Sequence, residues 1–219
     1  MSDIVDVTVA DTVKWLHDEG LARLAVVGAD ASSPIVAYTV EVATGTVTAF
    51  PASVTGPGTD VLTLSADDLP PPTGTAKRLV VIGVTATESV LVLDLAAVPA
   101  LGINAVRPET TARAWVVQLL LDPQITLTTN SADLAVPAGT RCRHTFIPGG
   151  GTLLMVDDKQ PPITTVTLDS ATDGPDHLDV AHDGSAELYL GTRFWQLQHV
   201  LSIGDLTWGA LTAQLETPA

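Results

Sequence analysis

A single cysteine, Cys142, stands in the 219 residues, so no internal disulfide framework exists and a lone thiol cannot assemble a cysteine-rich zinc centre. Aromatic residues make up only 4% of the chain, which leaves Val, Leu, Ile and Ala to build the core. Cations are equally scarce. Ten Lys and Arg face 25 Asp and Glu, a formal charge of -15 that repels phosphate backbones and anionic membrane surfaces, so no nucleic-acid partner is expected. No apolar run approaches the about 18 residues of a membrane-spanning helix, and no direct membrane insertion is expected. The segment MSDIVDVTVADTVKW carries acidic residues where a secretory signal carries positive charge. A cytoplasmic protein is expected, or a virion component if the role is structural.

What is present suits a folded, β-rich chain, for 46% of the residues are hydrophobic. The segment ADTVKWLHDEG (10–20) predicts a short helix capped by Asp11 and stopped at Gly20, with Val13, Trp15 and Leu16 inward. LARLAVVG, PIVAYTVEVA, TVTAFPA and DVLTLSA then predict strands, the second and third joined by a turn at Thr44-Gly45. ADDLPPPTGTA (66–76) can continue neither sheet nor helix and reads as a joint. KRLVVIGV and SVLVLDLA have the near-continuous apolar character of strands covered on both faces.

ALGINAV predicts another strand, and Pro108 opens a helix whose Ala112, Trp115, Val116, Leu119 and Leu120 form one apolar stripe ended by Pro123. QITLTTNSADLAV returns as a strand, with a right-handed crossover if it pairs in parallel with ALGINAV. From residue 139 short strands follow one another: RCRHTFIP, GGGTLLMVDD, ITTVTLDSA, HLDVAHD and ELYLGTRFWQLQHVLSI. GDLTWGALTAQLE predicts a closing helix with Asp205 as cap and Trp208, Leu211 and Leu215 on one face. The expected class is α+β, with a mixed sheet, one crossover helix, a mainly antiparallel C-terminal sheet and a closing helix. The expected divisions are 1–65, 78–136 and 139–219, or all of these in one compact domain.

Strand, turn and helix in LGINAVRPETTARAWVVQLLL (101–121) are the setting in which many proteins hold a nucleotide phosphate. In the G-x-x-x-x-G-K-[ST] register, Asn104 replaces the first glycine, Glu109 the second and Thr110 the lysine; only Thr111 fits its hydroxyl position. Glu109 suits the positive end of its own helix, not an anion beside it. Arg107 is the one cation of the turn, and a partner-facing or structural role is expected for it.

The longer run from LVVIGVTATESVLVLDLA through the helix to ITLTTNSADLAV, residues 79–136, resembles the FtsK/SpoIIIE-type motor ATPases, including those of type VII secretion. It is also similar to related domains without a phosphate loop that are attached to bacterial regulators. The matching pieces are Leu93-Asp94-Leu95, the strand from Ala100 to Ala105 and the helix 108–122, about a quarter of the chain. The resemblance implies a degenerate, nucleotide-free version of that unit. No catalytic residue carries over: the glycines and lysine are absent, and LLMVDD (153–158) ends in Asp157 and Asp158 as turn residues would.

DSATDGPDHLDVAHDG (169–184) is the densest polar cluster. Set on a calcium loop, Asp169, Asp173 and Gly174 fit, but Ala171 and Val180 occupy ligand positions, which excludes a helix-loop-helix calcium site. An irregular metal site would draw on Asp173, Asp176, His177 and Asp179, since His177 and Asp179 share a face of a strand; an acidic surface loop is the ordinary explanation. Cys142 reads as a packed core thiol, with Arg141 and Arg143 pointing away from it along a strand. GGG at 149–151 reads as a hairpin turn. Near the end, Phe194 and Trp195 lie on opposite faces of RFWQLQHVL and are candidates for partner contact or for core.

These readings converge on a noncatalytic protein that binds or assembles with another protein, needs no cofactor and takes the form of a degenerate ATPase-like component of a secretion or regulatory system. A self-assembling, virion-type structural protein is the alternative, followed by a metal-dependent hydrolase using the Asp/His cluster.

Overall fold

The computed structural model describes residues 7–52, 60–136, 141–148, 151–169 and 174–216, with side chains as far as 214. The chain divides into two compact units, Met1–Ala97 and Val98–Ala219. The predicted segment 78–136 contributes strands to both. The class is β-rich α+β, as the sequence pattern indicates.

In the first unit, α1 (Val9–Trp15) starts one turn earlier than the expected Asp11 cap. Thr8 is the cap, and Asp11 is its partner in a capping box: the Asp11 amide donates to Thr8 Oγ1 at 3.2 Å, and the Thr8 amide to Asp11 Oδ2 at 3.0 Å. Gly20 does not stop the helix. The chain passes through a π turn (Leu16–Gly20) into α2 (Leu21–Asp30), so LARLAVVG is helix where a strand was expected. Leu21, Leu24 and Val27 are buried at intervals of three, a helical spacing, and Leu, Ala and Arg are strong helix formers. Gly20 is required by packing instead: a Cβ there would lie 2.9 Å from the Trp15 ring.

The helices precede five antiparallel strands, β1 (Ile35–Glu41), β2 (Thr46–Pro51), β3 (Leu62–Ser65), β4 (Leu79–Thr85) and β5 (Ser89–Asp94), in the order β3-β2-β1-β5-β4. The β1–β2 turn places Gly45 at φ +68°, where a side chain would be strained. Every residue of β5 from Ser89 to Leu93 is buried, as continuous Val and Leu lead one to expect. The proline-rich joint is tied down: the Arg23 guanidinium donates to the carbonyls of Leu69 and Pro70.

The second unit contains an eight-stranded mixed sheet, β13-β12-β11-β6-β10-β9-β7-β8. Its members are β6 (Ala100–Asn104), β7 (Thr126–Thr129), β8 (Cys142–His144), β9 (Thr152–Asp157), β10 (Thr164–Asp169), β11 (His177–Val180), β12 (Ala186–Leu190) and β13 (Arg193–Val200). The expected strand 187–203 is two strands, turned at Gly191 with φ +57°. The crossover through α3 (Pro108–Leu120) joins β6 to β7, which run the same way but do not pair; β10 and β9 lie between them. Pairing inside the C-terminal region is antiparallel, yet β6 enters it between β10 and β11 and runs parallel to both.

α3 is buried from Thr111 through Val116, wider than the expected stripe, and Leu120 is only half-buried. The unit closes with α4 (Asp205–Glu216), which opens at Asp205 and buries Trp208; Leu211 is half-buried and the Leu215 side chain lies outside the described residues.

Candidate functional site

Alternation along the strands sorts the second sheet into two faces. Leu101 and Ile103 of β6, Leu178 of β11 and Leu188 of β12 are buried, and side chains at the intervening positions point the other way. Cross-strand register aligns those intervening residues in two rows. One runs Thr167, Gly102, His177, Tyr189, Phe194 from β10 to β13. The next runs Asp169, Asn104, Asp179, Glu187, Gln196. An aromatic row therefore borders a row of three carboxylates and two amides.

The aromatic row is continuous. His177 stacks on Tyr189 with ring centres 4.7 Å apart and planes at 22°, and Tyr189 meets Phe194 at 5.1 Å. The phenol of Tyr189 donates to Glu187 Oε2 at 2.6 Å, a bond that raises its pKa. His177 Nδ1 lies 2.7 Å from the Gly174 carbonyl, and a carbonyl only accepts, so the ring proton sits on Nδ1. Nε2 then faces Asp179 Oδ2 at 3.6 Å, an attraction that operates only when the ring is protonated. Asn104 Nδ2 donates to the other oxygen of Asp179 at 2.7 Å.

Beside these rows is a pocket of about 660 Å³, lined by Asn104, His177, Asp179, Glu187 and Gln196 and by the turn residues Val106 and Ser185. Its charges are arranged against the stability of the sheet. Asp179 and Glu187 are direct cross-strand partners, and like charges so placed, with Cβ atoms about 4.5–5.5 Å apart, repel. Among the described residues, neither is paired with a Lys or Arg.

The structure gathers three of the sequence candidates here: His177, Asp179 and Phe194, the last half-exposed. Asp176 lies off the rows; its Oδ1 accepts from the Gly191 amide at 2.7 Å and fastens the β12–β13 turn. Asp173 lies outside the described residues. Among the described residues, no three His, Cys, Asp or Glu side chains are grouped as metal ligands. Trp195 is paired across to buried Leu188 and so takes the face opposite Phe194. The sequence reading passed over Glu187 and Tyr189, although the alternation in AELYL places them together, and it weighed Asn104 only as a missing glycine.

Arg107 belongs elsewhere. It donates to Glu109 at 2.8 Å and to Asp205 at 2.7 Å, and the same Asp205 oxygen accepts from Arg113 at 2.7 Å. These arginines hold the Asp205 carboxyl below the usual range, at about 2. Arg113 is buried, with its guanidinium 5.6 Å from the centre of the Trp208 ring. A cavity of about 250 Å³ adjoins this end of α3, lined in part by Arg107, Thr110, Thr111 and His182. Thr110 Oγ1 donates back to the Arg107 carbonyl, and Thr111 is buried. The turn's cation is thus engaged by the protein's own carboxylates.

Cys142 is buried, its thiol donating to the Leu134 carbonyl at 3.8 Å, and burial pushes its pKa up to about 11. Arg141 turns away and caps the end of α3 through the carbonyls of Leu120, Asp122 and Ile125. Asp157 and Asp158 accept from the amides of Lys159 and Gln160, as turn residues do. Comparison with protein-family models, with curated proteins and with solved structures finds no match to the chain.

Proposed function

We propose that this chain is a noncatalytic protein-binding protein, and that the solvent-facing side of its second sheet, from β6 to β13, receives the partner. The observation that carries this reading is the opposed pair Asp179 and Glu187 beside the ring ladder His177, Tyr189 and Phe194. A sheet face with no binding role has no reason to retain a repulsive pair, and departures from local rules concentrate where function requires them. Aromatic rings next to polar groups are also the usual anchors of protein interfaces.

In its specific form the protein is a cytoplasmic, degenerate ATPase-like component of a secretion or regulatory system. Two features support the loss of nucleotide chemistry. The turn from Asn104 to Thr111 offers neither glycines nor a lysine. Asp205 and Glu109 engage its only arginine.

Selection of a random displayed peptide library on the full chain tests the reading. Peptides whose binding is abolished by Phe194→Ala or Glu187→Gln, in variants with unchanged melting temperature, are expected. Binders indifferent to both substitutions, or no binders at all, overturn it.

A further inference from the structure

Resting on that reading, we infer that the partner is a basic protein segment, and that the pocket beside β11 and β12 takes one of its lysine or arginine side chains. The cation lies between the carboxylates of Asp179 and Glu187, and its aliphatic stem runs along His177. Three observations fix this chemistry. First, Asp179 and Glu187 face each other across β11 and β12, and a positive charge between them turns a repulsion into two attractions.

Second, the neighbouring groups prepare the acids to accept. Asn104 holds one oxygen of Asp179, the other lies 3.6 Å from His177 Nε2, and Tyr189 holds one oxygen of Glu187. The His177 ring, which lines the pocket, presents apolar surface that the stem of a long basic side chain favours. Third, among the described residues no Lys or Arg lines the pocket. The unit around it has six Lys and Arg against thirteen Asp and Glu, so its field draws a basic segment in and turns an acidic one away. A pocket of about 660 Å³ has room for one such side chain with part of its backbone.

The test is a titration of the full-length protein, followed by amide NMR, with three synthetic nonapeptides of Gly and Ser bearing two Lys, two Arg or two Glu. The basic peptides are expected to shift amides of residues 102–106, 177–181 and 185–189, and the acidic one none. Asp179→Asn with Glu187→Gln keeps shape while removing charge, and should weaken binding about tenfold or more. A control pair, Asp67→Asn with Asp68→Asn in the first unit, removes the same net charge and should leave binding unchanged. Raising NaCl from about 20 to about 300 mM should weaken binding severalfold, as screening requires.

Equal affinity in the Asp179→Asn, Glu187→Gln variant, or equal weakening by the control pair, overturns the inference. So does binding of Ca²⁺ or spermine at this pocket with no binding of the basic peptides. If selected library peptides bind in a Phe194-dependent manner but contain no Lys or Arg, the docking face stands and only the basic partner fails.

Discussion

The two units use strands for different ends. In the first, β1, β4 and β5 are buried along nearly their whole length, with Val80, Val81, Ile82, Val90, Leu91 and Val92 all inaccessible. In the second, β10 and β12 alternate buried with half-buried positions. A strand that gives both faces to the core has only packing to contribute. One that gives a single face to the core keeps the other for contacts it does not make by itself, and that is where the carboxylates and rings are found. The comparison therefore predicts that substitutions in the first unit are paid in stability, and those on the sheet face of the second in binding.

Leu91→Ala offers the sharpest way to break it. The side chain is fully buried on β5, and its removal is expected to cost about 3 kcal/mol, read as a lower urea midpoint with unchanged slope. A cost under about 1 kcal/mol would mean that the first unit's sheet is loosely packed, and the contrast would collapse.

Arg113 qualifies the comparison, because the second unit also has a buried charge. Arg113→Leu leaves the Asp133 carbonyl without its donor and Asp205 with Arg107 alone, and should cost about 2 kcal/mol. The pH dependence follows from Asp205, whose folded pKa of about 2 lies below its ordinary 3.8. A depressed carboxyl pKa stabilises the fold above the unfolded value, and this contribution is lost as pH falls from about 4 toward 2. Trp208 fluorescence should report release of α4 in that window, and Asp205→Asn should abolish the transition.

A smaller effect distinguishes packing from propensity in the first unit. A Cβ on Gly28 of α2 would stand 2.5 Å from the Tyr38 hydroxyl, which donates to the Leu24 carbonyl at 3.1 Å. Gly28→Ala is therefore expected to destabilise by about 1 kcal/mol despite the helix propensity it gains. In a Tyr38→Phe background the obstacle is gone, and the same substitution should become stabilising. Thermal melting of the four proteins checks the reversal of sign.

Much of this was legible in residue order. Continuous Val and Leu gave β4 and β5, Pro108 and the spacing after it gave α3, and Gly45 gave the first hairpin. LARLAVVG was misread because Gly20 looked like a helix stop, whereas its lack of a side chain serves the Trp15 ring. Of the candidate site, strand periodicity joined His177 to Asp179. It could not join that pair to Asn104, Glu187 or Phe194. Asn104 and Asp179 are 75 positions apart and meet only because β6 enters between β10 and β11. Register between distant strands leaves no trace in local spacing, and neither does a carboxylate such as Asp205 reaching back 98 positions to Arg107.

The smallest expected effect on stability tests the comparison most closely. Glu187→Gln relieves the repulsion with Asp179 and keeps a group that can accept from Tyr189. The melting temperature should stay the same or rise slightly, corresponding to at most about 0.5 kcal/mol. If stability instead falls by more than about 1 kcal/mol, the carboxylate is part of what holds the sheet together, and the face is structural like that of β5. If stability holds while basic peptides no longer bind, the like charges are maintained against the interest of the fold. Only an external cation gives them a use.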